Sequence, residues 1–208
     1  MPRAFSDAER ARIESRLFEA ARAMFERHGL RKTNVAELAR AAGIGKGTFY
    51  LFFPTKEELF IALVDRHEKA VKAELMTELD AELRAGADAR RLLRRYFELQ
   101  LELLTRHPLL AVLTDPEELE LLLRRVPPER LAEAIEEDAV FFAELFADWQ
   151  RRGLVDPTID PRAASAVTRG LLAMVQRREL VGERDWPGMI ELLIDALANR
   201  LAQQGEPT

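Results

Sequence analysis

The chain has 208 residues, 48% apolar and 32% charged, with no cysteine and a net charge of −5. That composition belongs to a folded chain long enough to bury a core, and it excludes disulfide scaffolds, thiolate zinc sites and thiol catalysis. No apolar run nears the ~18 residues of a membrane span, and Met1 to Ser6 lack a signal-peptide stretch, so a cytoplasmic chain with no membrane partner is expected.

The predicted elements are all helical. Ser6-Asp7-Ala8-Glu9 is a capping box, followed by Ile13, Leu17, Ala20, Ala21, Met24 and Phe25 at helical spacing, with Gly29 as the stop. Asn34 caps a short second helix that ends at Gly43. A third runs from about Gly45 to Phe53, before Pro54. Thr55-Lys56-Glu57-Glu58 opens a long fourth helix that continues to Gly86. The fifth covers about Asp88–His107. Asp115-Pro116 starts the sixth and Pro127-Pro128 the seventh, which ends near Gly153. Asp160-Pro161 starts the eighth. Asp185-Trp186-Pro187 opens the ninth, which runs to about Gln203 before a frayed tail, Gly205 to Thr208. The expected fold class is therefore all-α, with about nine helices. The expected division falls inside the long fourth helix, because no flexible linker separates the halves, and is written as domains 1–54 and 55–208.

Charge is unevenly placed. Residues 1–60 carry 11 Lys and Arg against 8 Asp and Glu, whereas the remainder carries 20 against 28. A basic first quarter points to an anionic partner at one end. Within it, Thr33 to Lys56 reads as two short helices meeting at a glycine turn, a helix-turn-helix. On the third helix Phe49 and Phe53 share an inner face, while Gly47, Thr48 and Leu51 point the other way and Tyr50 lies on a flank. A small outward face with hydroxyls and Lys46 suits a helix pressed into a groove, and Gly45 and Gly47 allow close backbone approach.

Thr33, Val35, Leu38-Ala39, Ala42-Gly43-Ile44, Lys46-Gly47-Thr48-Phe49-Tyr50, Phe53, Lys56-Glu57 and Leu59-Phe60, with Ala20, Phe25, Gly29 and Leu30 before them, resemble the TetR-type (tetracycline-repressor-like) DNA-binding domain over about residues 10–60. The resemblance implies a homodimeric regulator, usually a repressor, that binds a palindromic double-stranded operator and is released by a small effector in its C-terminal domain. Carried over by position, Thr33, Tyr50 and Lys56 would contact phosphate, and Gly45, Lys46, Gly47, Thr48 and Leu51 would line base edges. Two positions depart from the family pattern. Gly45 replaces a frequent Ser cap, and Phe52 replaces a frequent His, leaving Phe52 to touch a thymine methyl or pack inward.

The remainder of the chain is less specific. Tyr96, Gln100, Phe142, Phe146, Trp149 and Met174 are candidates for an effector cavity, and the same spacing describes plain core packing. Ala166, Gly170 and Leu171 with Leu193, Leu197 and Leu201 form broad faces suited to a two-fold four-helix interface, or to burial within one subunit. His28, His67 and His107 lie far apart and form no metal-ligand pattern, and Glu136-Glu137-Asp138 reads as a solvated face. Nothing resembles a Ser/His/Asp arrangement or a phosphate-binding glycine loop, so no enzyme, cofactor or metal is expected. The effector is expected to be hydrophobic. Two rival readings stand beside this one: a constitutive regulator without effector, and a helical small-molecule binder that retains the head.

Overall fold

The computed structural model describes residues 5–202, so the expected tail, the end of the last helix at Gln203 and the first four residues lie outside the described residues. Among the described residues there are ten α-helices: α1 Asp7–Lys32, α2 Val35–Ala41, α3 Lys46–Phe49, α4 Lys56–Arg84, α5 Ala89–Arg106, α6 Pro108–Ala111, α7 Pro116–Arg125, α8 Pro128–Arg151, α9 Pro161–Val175 and α10 Trp186–Leu201. The chain is all-helical, as expected. The one helix beyond the expected nine is α6. Pro108 does end α5, but a proline is equally at home in a first helical turn, and here it starts a new one at once.

Local chemistry explains most boundaries. Ser6 Oγ accepts the Glu9 N–H at 3.3 Å while Glu9 accepts the Ser6 N–H at 2.8 Å. Asn34, Asp88, Asp115 and Asp160 each accept an N–H from the first turn of their helix. Asp185 differs: it precedes α10, yet its side chain makes no capping bond, and only its carbonyl enters the first turn. α1 is interrupted at Gly29, whose φ of +75° is left-handed. α3 is shorter than expected; from Tyr50 to Phe53 the chain continues as tight turns.

The chain folds as two compact units, residues 5–69 with 108–127 and residues 70–107 with 128–202. The first unit thus extends past the expected 54/55 bound, and the chain leaves it within α4, after residue 69. The physical reason is burial: Leu59, Phe60 and Leu63 of α4 are core residues, and Phe60 meets Phe25 of α1 edge-on at 5.4 Å. Leu109, Val112 and Leu122 are buried in this unit as well. The second unit centres on Tyr96, Phe97, Phe146 and Trp149, with Leu171, Ile194 and Ala198. Arg94 of α5 pairs with Asp195 of α10, and Arg106 with Glu74, Glu78 and Glu102.

Candidate nucleic-acid interface

The helix-turn-helix is held from beneath by Leu38, Ala39, Ala42 and Phe49, all fully buried. Gly43 turns the chain at φ +67°, and the Ile44 N–H returns to the Ala39 carbonyl at 2.9 Å. Gly45 precedes α3 in extended conformation and makes no side-chain cap. With the inner face anchored by Phe49, the outer face carries Lys46, Gly47 and Leu51, with Thr48 half-buried beside them. Leu51 is 63% exposed and Tyr50 48%, its ring set edge-on to Phe49 at 5.4 Å. A methyl group on Gly47 would meet nothing within 4 Å, and one on Gly45 only the Thr48 hydroxyl at 3.9 Å. Neither glycine is therefore required by packing inside this chain.

Three expected contacts find other surroundings. Phe52 is half-buried, its ring 6.0 Å from that of Phe5 and under the Arg10 guanidinium at 5.0 Å, so it packs against the start of α1. Thr33 is 3% exposed, and its hydroxyl donates to the Gly29 carbonyl at 2.7 Å. Lys56 Nζ donates to the carbonyls of Leu30 at 2.7 Å, Arg31 at 3.0 Å and Thr33 at 2.9 Å. Its ammonium thus occupies the carbonyl end of α1, a favoured place for a cation. Burial holds the Lys56 pKa below the usual lysine range, against the opposing charges of Glu57 and Glu118. While these bonds hold, neither Thr33 nor Lys56 offers its side chain to a phosphate. Arg16, by contrast, was not singled out from sequence. Its Nη1 lies 3.2 Å from where a Gly43 side chain would start, which puts a guanidinium over the α2–α3 turn.

In the second unit, Tyr96 is completely buried and meets Phe142, Phe146 and Trp149 edge-on at 6.2, 5.4 and 5.4 Å. Its hydroxyl bonds Thr168 Oγ1 at 2.8 Å, and burial raises its pKa. Gln100 is buried one turn further along α5, its amide near the Tyr96 hydroxyl. Met174 does not join these residues in burial; it is exposed on α9. The six residues expected at a two-fold interface divide. Leu171 and Leu201 are buried, Leu193 and Leu197 half-buried, and Ala166 and Gly170 exposed. Leu192 on α10 is 72% exposed. Among the described residues, no three His, Asp or Glu side chains are placed to hold a metal ion, and no helix is long and apolar enough to cross a membrane.

Residues 17–63 match the family described as bacterial regulatory proteins, tetR family. The chain is 34% identical over 100 residues to a probable HTH-type transcriptional regulator, ArpR, of Pseudomonas putida, a match covering 47% of this chain and 48% of that protein. It spans less than half the length of the curated relatives it matches. Among solved structures it resembles the TetR-family repressor FadR of Thermus thermophilus in complex with lauroyl-CoA, at 21% identity and a TM-score of 0.62, covering 94% of this chain and 98% of that one. It also resembles RolR in complex with resorcinol, at 18% identity and a TM-score of 0.65, covering 96% and 92%. At these identities the likeness is one of fold. Taken with the helix-turn-helix built by α2 and α3, these matches make residues 17–63 a region similar to that of the tetR-family bacterial regulatory proteins, and the likeness of the remainder is one of fold.

Proposed function

We propose that the protein is a sequence-specific DNA-binding regulator that acts in the cytoplasm as a homodimer on a palindromic operator. The observation that carries this reading is the outward face of α3, where Lys46, Tyr50 and Leu51 surround a Gly47 with open space above it. A helix with such a face can seat its backbone deep in a major groove. Base edges would meet Gly45, Lys46, Gly47, Thr48 and Leu51, and Tyr50 would hold phosphate. The test is a duplex selected by the protein from random sequence. Affinity for it should fall with salt on a log–log slope of several units, as counterions leave the phosphates. Salt-independent binding would overturn the reading.

Dimerisation through α9 and α10 is supported by the exposure of Ala166 and Gly170 on α9 and of Leu192 on α10, where Leu193 and Leu197 are half-buried. Small residues permit close helix approach. Light scattering should give about 47 kDa, twice the chain mass of 23.7 kDa.

Release by a hydrophobic effector is supported by two observations. Solved structures of the same fold hold lauroyl-CoA and resorcinol. In this chain Gln100 brings a buried amide to an aromatic cluster, a donor for a carbonyl or hydroxyl oxygen. Tyr96, Phe142, Phe146 and Trp149 close on one another, so the effector would bind a state in which they part. Thermal denaturation with acyl-CoA thioesters and with small phenols tests this. A rise in melting temperature for either class is expected, and none for both would favour a constitutive regulator.

A further inference from the structure

The segment that joins α1 to α2 is gripped from two sides. Lys56 of α4 holds the carbonyls of Leu30, Arg31 and Thr33. From the other side comes Glu118 of α7, a carboxylate only 8% exposed, whose Oε2 accepts the Arg31 N–H at 2.8 Å. The fit is tight. A methyl group on Gly29 would lie 2.4 Å from Glu118 Oε1 and 3.3 Å from Cδ, so the carboxylate fills space that only a glycine leaves. Glu118 is itself located by Asp115, which accepts the N–H groups of Glu117 and Glu118 at 2.8 and 3.2 Å. Glu117 adds an outer ion pair to Arg31 at 2.7 Å. Thr33 is followed directly by Asn34, the cap of α2, so the placement of Leu30 to Thr33 sets where the helix-turn-helix begins.

We propose that Glu118 is a positioning residue for operator binding, and that it makes α7 part of the DNA-reading head. The inference rests on the DNA-binding reading above. Residues 108–127 belong to the same compact unit as α1–α3, yet Pro127-Pro128 leads straight into α8 of the other unit. A pull on that connection arrives, through α7 and Glu118, at the turn from which α2 starts. The head is thus tied to the remainder of the chain through α7 as well as through α4.

The test compares Glu118→Ala, Glu118→Gln, Gly29→Ala and the Gly29→Ala/Glu118→Ala double variant in the full-length protein. Each is measured against the duplex selected by the wild type and an unrelated duplex of equal length. Glu118→Ala should lower affinity for the selected duplex on the order of tenfold, the size of one hydrogen bond to a charged group, while the unrelated duplex changes little. Exchange of the Arg31 amide should accelerate. Glu118→Gln keeps an oxygen for that amide and should restore most of the affinity. Gly29→Ala should cost less in the Glu118→Ala background than alone, because the steric conflict is gone. An unchanged preference for the selected duplex in Glu118→Ala would overturn the inference, as would an equal loss on both duplexes. If the wild type selects no duplex at all, the DNA-binding reading falls and takes this inference with it.

Discussion

Gly47→Ala separates the chain's own packing from its contact with DNA, because the two effects have opposite signs. Gly47 is not among the left-handed glycines, so alanine can adopt its backbone conformation. The added methyl would meet no atom within 4 Å. Inside a helix alanine is favoured over glycine by up to ~1 kcal/mol. α3 has only four residues, and a gain near half of that is the reasonable expectation, ~0.5 kcal/mol. For a chain of this size that raises the melting temperature by ~1–2 °C. If α3 lies with Gly47 against base edges, the same methyl fills the closest approach and costs what one lost base contact costs. That is about 1–3 kcal/mol, or ~5- to 150-fold in affinity for the selected duplex. Calorimetry and fluorescence anisotropy at fixed salt measure both quantities on one preparation. A stabilised variant that binds the selected duplex as well as the wild type would refute the placement of α3 in the groove. A destabilised variant would show that the space over Gly47 is not open.

If Tyr50 holds phosphate as proposed, Tyr50→Phe should weaken selected and unrelated duplexes alike by several-fold, with no change in melting temperature. Lys56→Met should do the reverse, lowering stability by about 1.5–3 kcal/mol through loss of its bonds to the α1 carbonyls, as read by denaturant unfolding. If α10 lies in the proposed dimer interface, Leu197→Glu puts a charge there and light scattering should report a mass below about 47 kDa; an unaltered dimer would remove Leu197 from the interface. Glu102 accepts from Arg95 at 2.7 Å and Arg106 at 2.6 Å; the Arg95 bond most of all, opposed by partial burial, holds its pKa below the ordinary 4.5. The folded carboxylate therefore binds fewer protons than the unfolded one. Its stabilisation is present above about pH 4.5 and lost as pH falls through the lowered value, so the melting temperature of Glu102→Gln should change less between pH 5 and 3 than that of the wild type.

The helix-turn-helix region was legible because its signals are local. Caps at Ser6 and Asn34, the Gly43 turn and the Phe49 inner face all lie within a few residues of the elements they define. What was not legible depends on long separations. Lys56 taken alone has no visible reason to sit beside a helix cap, because the carbonyls it holds are 23 to 26 residues upstream. Glu118 reads as an acidic first-turn residue of α7; its partner is 87 positions away. Phe52 has equal reason to face a thymine or the protein until Phe5 and Arg10 are seen to flank it. The role of the aromatic residues of α5 and α8 was not legible for another reason. Helical periodicity reports which face is apolar, and a closed core and a ligand cavity share the same periodicity.

The division into two units constrains how an effector would act. The chain passes between them at three points only, within α4 near residue 69, before Pro108 and after Pro127. Two of the segments so connected, α4 and α7, end on the same five residues, Gly29 to Thr33, through Lys56 and Glu118. On the proposed reading an effector must favour a state in which these two grips no longer agree, because a ligand with equal affinity for both states shifts nothing. Linkage then requires bound DNA to weaken the effector by the same factor by which the effector weakens DNA. Loosening Glu118 reduces the energy that one grip can transmit, so Glu118→Ala should shrink that factor as measured from either side. An effector that releases the variant from DNA as completely as it releases the wild type would leave α4 as the sole route to the head.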